Sequence, residues 1–166
     1  PESTGGRIFT GTSAADVFTS TTGDDMFSGG QGGDSYHFSR GDGRDRIEDS
    51  GSVSTTDTLY IHGYLPGDVS LRVSTMYTNG IELYLGDGSD SVIINEPAGG
   101  GFVEQVRFDN NTNWLLSDLQ AKILEDASTS GDDHIVGFTG TDSLNGGLGI
   151  HVLSGPAAAD THTFHA

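Results

Sequence analysis

At 166 residues the chain can form one ordinary domain, or two small ones sharing a core. It carries 24 Asp and Glu against 7 Lys and Arg, a formal net charge of -17, and no cysteine. This excludes disulfides and thiolate metal sites, and it argues against nucleic acid, whose phosphates need a basic patch. The 26 glycines are well over twice the usual share of about 7%, and with no collagen period they must serve turns.

The N-terminal part is a repeat. Gly29-Gly30-Gln31-Gly32-Gly33-Asp34-Ser35-Tyr36-His37 fits the nonapeptide G-G-x-G-x-D-x-U-x, with U a large apolar residue. Upstream in the same phase stand Gly23, Asp25 and Phe27, and before them Gly11, Asp16 and Phe18. After Tyr36 the frame slips by two residues, and Gly41, Gly43, Asp45 and Ile47 restore it. The last three residues of each nonapeptide are expected to be a short strand, with Phe18, Phe27, Tyr36 and Ile47 facing a core.

Between residues 50 and 127 the pattern changes. Thr58–Ile61, Val69–Val73, Ile81–Leu85, Ser91–Ile94 and Val103–Phe108 read as strands. Pro66-Gly67-Asp68, Asn79-Gly80 and Gly86–Asp90 read as turns. A helix is expected with Leu116, Leu119 and Ile123 on one face, a capping box from Ser117 and Gln120, and Trp114 packed against it. From residue 128 the repeat returns in decayed form. Asp133, Asp142 and Asp160 keep the aspartate place, His151 replaces it once, and Pro156 and His162 break the pattern further.

The nonapeptide has a physical logic. Its glycines permit a tight loop with positive φ, and the sixth-place aspartate adds a carboxylate. Two nonapeptides make one coil, so loops two repeats apart stack, and oxygen atoms line the gap between them. Hard oxygen ligands in an adaptable arrangement suit Ca²⁺ better than Mg²⁺, Zn²⁺ or copper. Stacking pairs Asp16 with Asp34 and Asp25 with Asp45, the best expected sites, with backbone carbonyls around Gly11, Gly23, Gly29, Gly32 and Gly43. Asp133 over His151 and Asp142 over Asp160 are expected to be weak or empty.

These residues resemble the calcium-binding repeat of RTX (repeats-in-toxin, hemolysin-type) proteins. The segment YHFSRGDGRDRIED resembles the usual exit from such a block, and VEQVRFDNNTNW resembles the related region that follows it. The resemblance implies an all-β chain in three parts: a parallel β-roll over 8–49, an antiparallel β-rich segment with one short helix over 50–127, and a degenerate second roll over 128–166. It further implies calcium as cofactor, export through a type I secretion apparatus as part of a parent protein, and an extracellular or bacterial cell-surface location. Pro1 in place of an initiator Met is consistent with an excised fragment.

Other readings compete. Asp24 and Asp132 are expected to be solvated loop carboxylates, and His134, His151, His162 and His165 to be incidental rather than a zinc or nickel site. Tyr60, Tyr77 and Tyr84 could line a sugar-binding face, which would make the chain an adhesin or glycan-binding module. It could equally be an accessory module of a secreted lipase, protease, epimerase or toxin. No G-x-S-x-G, H-E-x-x-H or phosphate-cradling G-x-x-x-x-G-K occurs, and no enzyme activity is expected of the chain itself. No apolar run is long enough for a membrane span.

Overall fold

In a computed structural model of the chain, the structure describes residues 5–50, 55–74, 76, 80–95, 103–138, 141–155 and 159–163. The expected turn at Asn79, and the readings placed on Tyr77, Pro156 and His165, fall outside them. The chain divides into two compact units, 1–116 and 117–166.

The first unit begins with three-residue strands β1 (Ile8–Thr10), β2 (Val17–Thr19) and β3 (Met26–Ser28), then β4 (Ser35–Ser39) and β5 (Arg44–Glu48). They fall at the ends of the nonapeptides because those residues alternate outward, inward, outward between glycine loops. Next come β6 (Asp57–His62), a 3-10 turn at Pro66–Asp68, β7 (Val69–Val73), β8 (Ile81–Leu85), β9 (Asp90–Asn95), β10 (Val103–Phe108) and β11 (Asn113–Leu115).

From β1 to β6 the chain alternates between two sheets. One has the order β1-β3-β5-β9-β8-β7, the other β11-β10-β6-β4-β2. The pairings β1–β3–β5–β9 and β2–β4–β6–β10 are parallel, whereas β9–β8–β7 and β10–β11 are antiparallel. Both sheets are therefore mixed rather than parallel throughout. Nor does the middle segment stand apart from the first repeats, since β6 and β9 each extend one of their sheets. Phe18, Phe27, Tyr36, Phe38, Ile47, Leu59, Ile61, Leu83, Val92 and Val106 are all buried. Phe18 and Tyr36 stack at 5.3 Å between ring centres, and both meet Phe27 edge-on.

Helix α1 (Leu116–Ala127) starts on the last residue of the first unit and otherwise lies in the second; its Leu119, Ile123 and Leu124 are buried. The helix starts at Leu116, so Ser117 lies inside it rather than ahead of it. Trp114 belongs to a strand, and its ring meets Phe108 at 4.8 Å. The strands β12 (His134–Val136), β13 (Ser143–Asn145), β14 (Val152–Ser154) and β15 (Thr161–Thr163) follow. They pair parallel as β12–β14 and β13–β15. Leu124, Ile135 and Leu144 form a small core with Phe138 and Leu153 against it. The described residues are thus mostly strand with one helix, and no helix among them is long and apolar enough to cross a membrane.

Candidate metal centre

The parallel register places equivalent residues of neighbouring strands side by side. Val17 pairs with Ser35, Ser35 with Thr58, and Thr58 with Gln105. The residues just before them are Asp16, Asp34, Asp57 and Glu104, and they form a ladder. The Asp16 N–H donates to Asp34 Oδ1 at 2.8 Å, the Asp34 N–H to Asp57 Oδ1 at 2.6 Å, and the Asp57 N–H to Glu104 Oε2 at 2.6 Å. Glu104 reaches its place because the register of β10 shifts between Val103 and Gln105, a bulge that turns one extra residue out of the pairing.

A second ladder runs along the other sheet. The Arg7 N–H donates to Asp25 Oδ1 at 2.7 Å, and the Asp25 N–H to Asp45 Oδ1 at 2.9 Å. It ends there, because Val92 is the partner of Asp45 in β9. The expected pairs Asp16–Asp34 and Asp25–Asp45 are therefore adjacent. Their loops also approach backbone to backbone. Gly11 N–H donates to Ser28 O and Gly23 N–H to Asp42 O, each at 2.8 Å, and a Cβ on Gly11 would collide with the Gly29 carbonyl. Gly32 and Gly43 hold φ of +124° and +105°, which L side chains resist. Asp24 Oδ1 accepts from the Arg44 N–H at 3.1 Å and Asp132 Oδ1 from the Ile150 N–H at 2.8 Å, so both tie neighbouring loops together.

The ladder aspartates differ in what their second oxygen meets. Asp16 Oδ2 accepts the N–H of Thr12 at 2.7 Å and its hydroxyl at 2.9 Å. Asp25 Oδ2 accepts the same two groups of Thr21, each at 2.8 Å. Asp133 is also held by Thr129, whose N–H donates to Oδ2 and whose hydroxyl donates to Oδ1. In each case a threonine four residues upstream closes a local ring. Four residues before Asp34 stands Gly30, which has no hydroxyl, and Asp34 Oδ2 has no partner although the residue is only 1% exposed. Asp57 Oδ2 is likewise buried and without a partner.

These two carboxylates converge with that of Asp49. One carboxylate oxygen from each of Asp34, Asp49 and Asp57 lies within 4.8 Å of the others, and all three residues are buried. The Tyr36 hydroxyl donates to Asp49 Oδ2 at 2.5 Å. Gly29 leaves the space open, since a Cβ there would strike the Tyr36 hydroxyl and Asp34 Oδ2. Among the described residues this is the one place that gathers three metal-binding side chains.

Buried carboxylates resist ionisation without a cation. Burial pushes Asp57 up to about 7, and the charges of Asp49, Glu104 and Asp34 add to it while the Asp34 N–H opposes. Burial also pushes Asp45 up to about 7, against hydrogen bonds from Ser20 and the Asp25 N–H. Asp34 and Glu104 are raised, in both cases chiefly by burial. Asp25 behaves differently. Burial is its largest single influence, but hydrogen bonds from Arg7, Thr21 and Ser20 together outweigh it and hold the carboxyl below its ordinary value.

In the second unit the Asp142 N–H donates to Asp160 Oδ1 at 3.0 Å, and the Asp133 N–H to His151 Nδ1 at 3.2 Å. The expected pairs are adjacent here too, but His151 puts an imidazole where a hard cation needs oxygen. His134 and His162 are exposed strand residues, and no three-ligand histidine group forms among the described residues. Of the tyrosines considered for a sugar face, Tyr60 is stacked on by His37 at 4.6 Å and Tyr84 is covered by the Arg72 guanidinium at 3.6 Å.

The nonapeptide singled out Asp34, but not Asp49, Asp57 or Glu104. Those three lie outside the motif. The signal that could have found them is positional, since Asp49 follows β5, Asp57 opens β6 and Glu104 stands at the start of β10, all on strands that extend the sheets after the frame has slipped. No protein-family model matches the chain, and no characterised protein does.

Proposed function

We propose that the chain is a calcium-binding module of the repeats-in-toxin type, a parallel β-roll whose antiparallel strands cap it, and that calcium drives its folding. It would serve a parent protein exported through a type I secretion apparatus and folded outside the cell. The observation that carries this reading is the ladder of buried aspartates in glycine loops, with Asp34 Oδ2 and Asp57 Oδ2 buried and without a partner. A buried carboxylate without a partner is costly, and a divalent cation removes that cost. The donor set is all oxygen and geometrically irregular, which suits Ca²⁺ rather than Mg²⁺.

The test is circular dichroism of the whole chain in chelator and then on titration with calcium. Folding should follow calcium at about 10⁻⁴–10⁻³ M, the range of extracellular modules. A fully folded spectrum in chelator, unchanged by calcium, overturns the proposal.

A further inference from the structure

The stacked aspartates of the repeat are not equivalent acceptors. Thr12 and Thr21 already occupy the second oxygen of Asp16 and Asp25, and Ser20 donates to both Asp25 and Asp45. An ion entering at those places must first displace local hydrogen bonds. At Asp34 and Asp57 nothing has to be displaced, because each offers a buried oxygen with no partner. The third carboxylate, Asp49, sits where β5 ends, and the missing side chain of Gly29 keeps the space between them open.

We infer that the principal cation site is formed by the side chains of Asp34, Asp49 and Asp57, two of them outside the repeat motif, and that it binds a hard cation of calcium size. This rests on the calcium reading above and adds where the first ion goes. Three carboxylates supply three to six oxygens, and Ca²⁺ accepts six to eight at flexible distances. Their summed charge also exceeds that of one divalent ion, which favours entry of the ion over retention of protons.

The site has its own spectroscopic reporter. Because the Tyr36 hydroxyl touches Asp49, an ion held there lies close to a tyrosine ring. The experiment titrates the full chain with Tb³⁺, a calcium-sized probe, and excites tyrosine. Sensitised emission should rise with the first ion, and Tyr36→Phe should remove most of that emission. Asp49→Asn and Asp57→Asn should each weaken calcium affinity roughly tenfold or more, since ligand charge sets affinity in such sites. If both variants bind calcium and Tb³⁺ like the parent while calcium still folds the chain, the inference is wrong and the calcium reading survives. If calcium has no effect on folding in the parent chain, the broader reading fails instead. Should either variant stay unfolded in calcium, Gd³⁺ broadening of the parent chain's NMR signals decides. Signals of Asp34, Asp49, Asp57 and Tyr36 should vanish at substoichiometric ion, whereas early broadening confined to Asp16 or Asp25 overturns the assignment.

Discussion

Gly29 is needed for space rather than for backbone freedom. Its missing side chain leaves room for the Tyr36 hydroxyl and the Asp34 carboxylate. Gly29→Ala should therefore destabilise the calcium-loaded chain by about 1–3 kcal/mol, the usual cost of overpacking, as read by urea unfolding in saturating calcium. A threonine hydroxyl has the opposite role at Asp25. Thr21→Val keeps the shape but removes the hydroxyl bond, so the folded chain should lose about 1 kcal/mol in urea unfolding. The pH dependence has a definite sign. Asp45 and Asp57 are pushed up to about 7, so the folded, metal-free chain holds protons that the unfolded chain has released. Their favourable contribution is fully present below the ordinary carboxylate range and is lost as pH rises through about 7. Asp34 and Glu104 beside Asp57, and Asp42 near Asp45, act in the same direction, and Asp25 opposes them. In chelator the folded fraction should be larger at pH 5 than at pH 8, and calcium should reverse that order. Denaturant melts at the two pH values, with and without calcium, check it. At this scale the motif made Asp34 legible. It could not reveal that Gly30 leaves Asp34 open while Thr12 and Thr21 close their neighbours, because that difference lies at a position the motif leaves to turn geometry.

Among the elements, strands with strong alternation were the most legible. Val69–Val73, Ile81–Leu85 and Val103–Phe108 have the bounds that their pattern predicts. The strand Asn113–Leu115 was not legible, because a three-residue strand carries too little periodicity and Trp114 reads equally well as a helix companion. The pairing of the middle segment was hidden for a different reason. β5 pairs with β9 across three intervening strands, and no local period encodes a partner that distant. The antiparallel strands still matter to stability. Leu83 is fully buried at the centre of β8, so Leu83→Ala should cost about 2–5 kcal/mol. Ile8 on β1 is 73% exposed, and Ile8→Ala should stay within about 0.5 kcal/mol. Chemical denaturation of both variants separates a core strand from an edge strand.

For the whole molecule, a net charge of -17 opposes compaction, and bound cations offset it. The two units should contribute unequally. Asp34 belongs to the buried cluster of the first unit, whereas Asp160 in the second is only partly buried and accepts from the Asp142 N–H. Asp34→Ala should remove most of the calorimetric calcium signal, and Asp160→Ala should leave it nearly intact. Equal losses would mean that the second unit binds as strongly as the first.

Each of these ladder carboxylates accepts a backbone N–H from the neighbouring, earlier stretch of chain. The side-chain ladder therefore runs in one sense along the chain, although the strand backbones bond in both, as the Ser35 N–H to the Asp16 carbonyl shows. Within the ladder the early member supplies the donor, which water can satisfy once its acceptor is gone, while the late member supplies the acceptor on which a buried N–H depends. Damage should spread accordingly. Truncation of residues 5–15 should remove the edge strand β1 and little else, whereas Glu104→Ala should strip the acceptor from Asp57 and loosen the strands before it. Amide hydrogen exchange would record this as lost protection that travels from β10 back toward β4, the reverse of the order in which the chain is synthesised.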